Sequence, residues 1–209
     1  MKQTSLLSFG KSIVKEKEPR IIEVKEVPGL TVIENFITQQ QHDTLMKGIY
    51  SFEWNDTLKR RVQHYGYAYD YRNRGVSSDT QVPPIPECFN ELLDKLQIYF
   101  GGQKPEQLII NEYTPGQGIA PHIDALIFGD PIISLSLGST CEFLFQNRTD
   151  SEDSYSIILK PNTLVIMSKD SRYKYTHCIP KRKVDYDETT DKSIPRGTRV
   201  SLTFRMMKK

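Results

Sequence analysis

The stretch RVSLTFRM, Arg199 to Met206, alternates a cation or hydroxyl with an apolar side chain at every step. As a strand it sends Val200, Leu202, Phe204 and Met206 to one face and Arg199, Ser201, Thr203 and Arg205 to the other. A polar, doubly cationic inner face suits a barrel that holds an anion. A guanidinium offers a planar fork matched to carboxylate, and inside a dry barrel it needs an anionic partner to offset its desolvation. An ordinary Arg–Asp or Arg–Glu pair would meet the same need for one of the two.

Working outward, further short strands are expected in LIINEYT (108–114), IISLSLGS (132–139), EFLFQN (142–147), YSIILKP (155–161), TLVIMS (163–168) and YKYTHCI (173–179), separated by Gly, Pro, Asn and Asp turns. Upstream the pattern is helical. Thr38 and Gln41 have capping-box spacing before Leu45, Met46 and Ile49, and Phe89, Leu92, Leu93, Leu96, Tyr99 and Phe100 recur at helical intervals. Strands after helices predict an α+β fold: a double-stranded β-helix, or jelly roll, with N-terminal helices supporting one outer side.

The 209 residues suit one domain. Residues 1–20, rich in Lys, Ser and Glu, are expected to be a mobile tail, and 21–209 the compact unit. A net charge of +2 makes any nucleic-acid footprint a matter of local clustering. Three cysteines without C-x-x-C spacing argue against a disulfide framework or structural zinc and favour a reducing compartment. No apolar run is long enough for a membrane span.

Chemistry concentrates in NEYTPGQGIAPHID and RYKYTHCI. His122 and Asp124, two apart, project to one side, and His177 must join them from a later strand. One carboxylate and two imidazoles can hold Fe(II) on one face and leave positions for a co-substrate and O2. H-x-D alone is more often a capping or hydrogen-bonding pair. The case rests on two of only four histidines taking part, with two arginines following on one strand face. Asn111 and Tyr113 alternate on LIINEYT and could bond to the same ligand or be satisfied by backbone.

N-x-Y at Asn111 and Tyr113, PG-x5-H-x-D ending at His122 and Asp124, SLSLGS at Ser134 to Ser139, SRY-x3-H ending at His177 and R-x-S-x-T-x-R from Arg199 to Arg205 together resemble the AlkB family of Fe(II)- and 2-oxoglutarate-dependent dioxygenases. The resemblance runs from about residue 30 to the end. It implies iron on His122, Asp124 and His177, and Arg199 on the distal carboxylate of 2-oxoglutarate with hydrogen bonds from Asn111 and Tyr113. Arg205 would help hold the other carboxylate or Asp124. Many relatives carry Asn where this chain has Ser201. The implied reaction converts 2-oxoglutarate and O2 to succinate and CO2 while oxidising a C–H bond. A hydroxylated carbon on a base nitrogen breaks down to formaldehyde; any other keeps its alcohol.

Residues 56–75 carry five basic side chains, including Arg60 and Arg61, against two acidic ones, and place tyrosines at 65, 67, 69 and 71. Aromatics beside arginines are what an extruded base and its phosphates need, although a strand packing its tyrosines on a sheet has the same pattern. The family's nucleotide lid lies here, so Tyr67, Tyr69, Arg60 and Arg61 are expected to contact substrate, with Arg172 at the pocket rim. The wording is most similar to the AlkB domain of tRNA wobble-uridine hydroxylases. Gln3, Leu6 and Phe9 match the Q-x-x-L-x-x-F spacing of peptides that dock on the sliding clamp PCNA.

The resulting expectation is a monomeric nuclear or cytoplasmic enzyme that demethylates alkylated bases in DNA or RNA. The alternatives are hydroxylation of a modified tRNA uridine, oxidation of a methylated protein side chain, and a non-enzymatic binder.

Overall fold

Alternation along the strands sorts their side chains into a helix-packed layer and a cavity-facing layer. The computed structural model describes residues 16–70, 75–77 and 82–208, with the side chains of 68–70 and 75–77 outside that description. In chain order the elements are β1 (Arg20–Val24), β2 (Leu30–Glu34), α1 (Gln39–Ser51), β3 (Val62–Tyr65), β4 (Ala68–Asp70), β5 (Gly75–Ser77), α2 (Asn90–Leu96), β6 (Gln107–Tyr113), β7 (Ile119–His122), β8 (Ile132–Gly138) and β9 (Cys141–Asn147). They continue as β10 (Ser154–Leu159), β11 (Thr163–Met167), α3 (Lys169–Tyr173), β12 (Tyr175–Ile179), β13 (Val184–Asp187), β14 (Lys192–Pro195) and β15 (Arg199–Arg205).

A seven-stranded sheet in the order β1-β2-β11-β8-β15-β6-β3 faces a four-stranded sheet in the order β10-β9-β12-β7. This is the jelly roll of the expectation. β15 lies between β6 and β8, opposing Arg199 to Tyr113, and Ser201 to both Asn111 and Ser136. Because partners in register share a face, the polar residues of three strands form one stripe toward the four-stranded sheet. Their apolar alternates, Val200, Leu202, Phe204, Leu135, Leu108 and Ile110, pack beneath the helices with Leu45, Ile49, Leu92, Leu93 and Leu96. Full burial contributes roughly 1.5–3 kcal/mol for each such side chain. A second cluster, with Phe143, Phe145 and Ile179 from one sheet and Val32, Ile132, Val165 and Met167 from the other, joins the two layers.

The helix start holds as a capping box: Gln41 N donates to Thr38 Oγ1 at 3.1 Å and Thr38 N to Gln41 Oε1 at 3.0 Å. The expected second helix is divided into a 3-10 turn at Glu87–Phe89, α2, and another 3-10 turn at Gln97–Phe100 that ends at Gly101 with φ 64°. Its apolar face survives the change of winding, since Phe89 and Phe100 stay in the core. The segment expected as strand YKYTHCI is corrected at its start. Tyr173 closes α3 and Lys174 caps it, so pairing begins at Tyr175.

Candidate active site

β7 and β12 pair with His122 directly opposite His177, and Asp124 follows as β7 ends. One ligand atom from each residue lies within 4.8 Å of the others, and the imidazole centroids are 4.4 Å apart. His122 Nδ1 lies 2.8 Å from the Ala120 carbonyl. A carbonyl only accepts, so Nδ1 carries the proton and Nε2 is left as the free donor atom. Burial pushes the His177 imidazolium down to about 3, with His122 adding to the effect and Asp124 opposing it. For Asp124 burial works against ionisation, but Arg205 and the two histidines outweigh it and hold the carboxyl well below the usual range. Neutral imidazole and ionised carboxylate are the ligand forms a divalent metal requires.

Arg205 Nη2 donates to Asp124 Oδ1 at 2.7 Å, while the buried Oδ2 has no hydrogen-bond partner among the described residues. An orphaned carboxylate oxygen beside two imidazoles fits a metal ion. The facing sheet offers the complementary feature. Arg199 is buried, donates from Nε to Ser136 Oγ at 2.9 Å and stands 5.6 Å from the Tyr113 ring centre, yet its Nη1 is buried without a partner among the described residues. A guanidinium so placed fits a carboxylate ligand. His122, Asp124, His177, Asn111, Tyr113, Arg199 and Arg205 all line one cavity of about 340 Å³ between the sheets.

The residues expected at the substrate divide. Arg60 lines the cavity and donates from Nε to Asn111 Oδ1 at 2.9 Å. Arg61, its neighbour, turns to the other side of β6 and is a correction. It donates twice to Glu112, at 2.6 and 3.0 Å, and lies 4.7 Å from the Trp54 ring centre, so its charge is committed on the helix-side face. Arg172 is a second correction. It is buried beneath the Asp124 loop rather than at a rim, donating to the carbonyls of Asp124, Ala125 and Phe128 at 2.9, 2.8 and 3.3 Å. Tyr67 is exposed beyond β3, does not line the cavity, and accepts from Gln107 through its carbonyl at 2.9 Å. The side chain of Tyr69 and the residues Gln3, Leu6 and Phe9 lie outside the described part of the chain.

Two residues of the polar stripe, Ser134 and Ser136, have no role in the sequence reading. Ser136 seats Arg199, and Ser134 shares a 3.0 Å hydrogen bond with Ser201. The alternation in SLSLGS was their available signal. His64, opposite Ile109 on β3, is lowered to about 4 by burial first and then by Arg205 and Arg60.

Comparison with known proteins places a match to the 2OG-Fe(II) oxygenase superfamily over residues 29–205. The chain is 37% identical over 195 residues to uncharacterized protein L905 of Acanthamoeba polyphaga mimivirus, covering 90% of each. It is 34% identical over 229 residues to the tRNA (carboxymethyluridine(34)-5-O)-methyltransferase alkbh8 of Xenopus tropicalis, covering 98% of this chain but 35% of that protein. It is 31% identical over 206 residues to the Alkylated DNA repair protein ALKBH8 homolog of Arabidopsis thaliana, covering 87% of this chain and 59% of that one. The solved structure of OsALKBH1 shares the fold, with a TM-score of 0.64 over 90% of this chain and all of that chain at 20% identity. No helix among the described residues is long and apolar enough to cross a membrane.

Proposed function

The chain belongs to the 2OG-Fe(II) oxygenase superfamily, within its AlkB family, and from that premise we propose that it oxidatively demethylates alkylated bases in DNA or RNA. The observation that carries this reading is the opposition, across one cavity, of a three-residue metal set and a buried arginine with an orphaned donor. His122 through Nε2, His177 and Asp124 through Oδ2 would hold Fe(II). Bound there, Fe(II) would supply the oxidising chemistry by which O2 converts 2-oxoglutarate to succinate and CO2 and a substrate C–H bond is hydroxylated.

The chain's own groups do the rest. Arg199, seated by Ser136, anchors the distal carboxylate of the keto acid, and Asn111 and Tyr113 bond to it from β6. Arg205 fixes Asp124 through Oδ1 and so leaves Oδ2 for the metal. Met167, Phe143 and Ile179 exclude water from the space between the sheets, which strengthens each ionic contact there. Arg60, next to Asn111, supplies positive charge on the wall that the incoming nucleotide meets. A methyl on a base nitrogen becomes a hemiaminal, which releases formaldehyde and restores the N–H.

The second reading, hydroxylation of a substituent on a tRNA wobble uridine, is favoured by the 34% identity to the Xenopus methyltransferase alkbh8. Mass spectrometry after reaction with 2-oxoglutarate separates the two. Loss of a methyl group from oligonucleotides carrying N-methylated bases supports the first, and gain of one oxygen on a tRNA uridine supports the second. Succinate formed without change in either substrate removes both. Gln3, Leu6 and Phe9 support a tether to PCNA and nuclear residence, alongside or instead of the cytoplasm. Titration of a peptide of residues 1–15 against the clamp tests the tether.

A further inference from the structure

Immediately after Asp124 the chain makes a turn of unusual composition. Phe128 N donates to the Ala125 carbonyl at 3.1 Å, which puts Leu126 and Ile127 at the two central positions. Such positions ordinarily take Gly, Pro, Asn or Asp. Here they carry branched apolar side chains that are 62% and 40% exposed.

The exposure does not come from a loose loop. Arg172 donates to three carbonyls of the segment from below, and Lys208 N donates to the Ile127 carbonyl at 2.8 Å. Gly129 N donates to the Met206 carbonyl at 2.9 Å, and Asp130 Oδ2 accepts from Lys169 N at 2.9 Å. Phe128 is buried under the turn, 5.0 Å from the Arg205 guanidinium. Two apolar side chains are therefore held outward on a braced support, two and three residues from a metal-ligand candidate.

The flanks define what would cover them. Lys169 and Lys208, whose backbone N–H groups brace the turn, are both exposed. Lys169 keeps a left-handed φ of 51°, unfavourable for a lysine, at the residue that bonds to Asp130. Two side chains are far too little surface for a stable protein interface, which needs about 800 Å² from each partner. An apolar pair whose support is bonded by the backbones of two exposed lysines, with the Asp130 carboxylate taken up by Lys169 N, has instead, beside a reacting centre, the chemistry of a nucleic-acid contact. Leu and Ile serve as wedges between bases, and lysines meet the phosphates.

We propose that Leu126 and Ile127 form an apolar wedge that packs against the base adjoining the one in the cavity, while Lys169 and Lys208 take the flanking phosphates. The wedge would fill the stacking gap that an extruded base leaves behind. The inference rests on the nucleic-acid reading of the proposed function.

The test uses the full chain and single-stranded DNA and RNA oligonucleotides carrying one N-methylated base. The double variant Leu126→Ala, Ile127→Ala should raise Kd by fluorescence anisotropy, and KM, by about tenfold, the equivalent of 1.4 kcal/mol. Ile98→Ala, which removes an apolar side chain 70% exposed in the 3-10 turn after α2, should leave both values alone. Replacing Lys169 and Lys208 together by Ala should reduce the slope of log affinity against log salt by about 1.4 for single strands. If the wild type binds and oxidises an oligonucleotide while the double variant stays within about twofold of it, the wedge is refuted and the nucleic-acid reading stands. If the wild type neither binds nor oxidises any oligonucleotide, that reading fails and takes the wedge with it.

Discussion

The two walls of the cavity are built to different standards of support. The anion wall lies in the middle of the seven-stranded sheet, where β15 is paired along its length on both sides and Arg199 is held by a neighbouring strand's serine. The metal wall lies at the margin of the four-stranded sheet, where β7 pairs with β12 at His122–His177 and Ile119–Ile179 and the register shifts between them. Sheet pairing orients the arginines, whereas the ligand at the end of β7 depends on side chains from elsewhere. Arg205 holds the Asp124 carboxylate and Arg172 its backbone. Where backbone pairing is thin, buried guanidinium groups substitute for it.

That contrast can be broken at several points. His177→Ala, on the metal wall, should reduce succinate formation by more than the ~100-fold typical of losing a group that merely orients a ligand. Retention of a tenth of the turnover would mean the metal set is wrong. Arg199→Ala, on the anion wall, should weaken 2-oxoglutarate by about 2–5 kcal/mol, tens- to thousands-fold in apparent affinity. Arg199→Lys should recover part of that loss, since a point charge replaces the fork only incompletely.

Two substitutions compare supports rather than contacts. Arg172→Ala leaves the buried carbonyls of Asp124 and Phe128 without this donor, while Ala125 keeps the Phe128 N–H, and should cost about 3 kcal/mol in denaturant titrations, with weaker Fe(II) binding. Arg61→Ala should cost less than about 1 kcal/mol, because that pair is partly exposed and Tyr50 still donates to Glu112. Equal losses would erase the distinction between bracing the metal wall and decorating the outside of β6.

A separate effect concerns pH. Burial foremost keeps His64 at about 4 and His177 at about 3, so the folded metal-free protein holds both neutral while the unfolded chain protonates them near 6.5. The unfolded state binds more protons in this window. Stability should be whole above pH 6.5 and decline toward pH 4, by up to about 1.4 kcal/mol per pH unit for each histidine. His64→Gln should flatten that decline, read from denaturation midpoints between pH 7 and 4.5. An unchanged slope would mean His64 is already charged on the anion wall.

The residues most legible in the sequence are those whose role is fixed by strand period. Alternation in RVSLTFRM and LIINEYT is enough to assign Arg199, Arg205, Asn111 and Tyr113 to one face, and the register brings them together. Partnership is less legible than facing. Arg60 and Arg61 are adjacent and alike in the sequence, yet Asn111 takes one and Glu112 the other, because successive residues of β6 point to opposite sides. Arg172 read as a rim cation for the same reason: a sequence displays a charge without the carbonyls that enclose it. β1 and β2 went unread because β1 follows a Lys- and Glu-rich stretch and the turn between them is dominated by charge and a Pro-Gly pair.

β7 has one further consequence, beyond catalysis. It is the outermost strand of its sheet, and an outermost strand invites pairing with another chain. Pro121 has no N–H to offer an incoming strand, and the carbonyl of Ala120 is occupied by His122 Nδ1. Ala120, whose carbonyl aims the His122 imidazole, and its neighbour Pro121 thus make this margin a poor template for a further strand, directly beside a metal-ligand candidate.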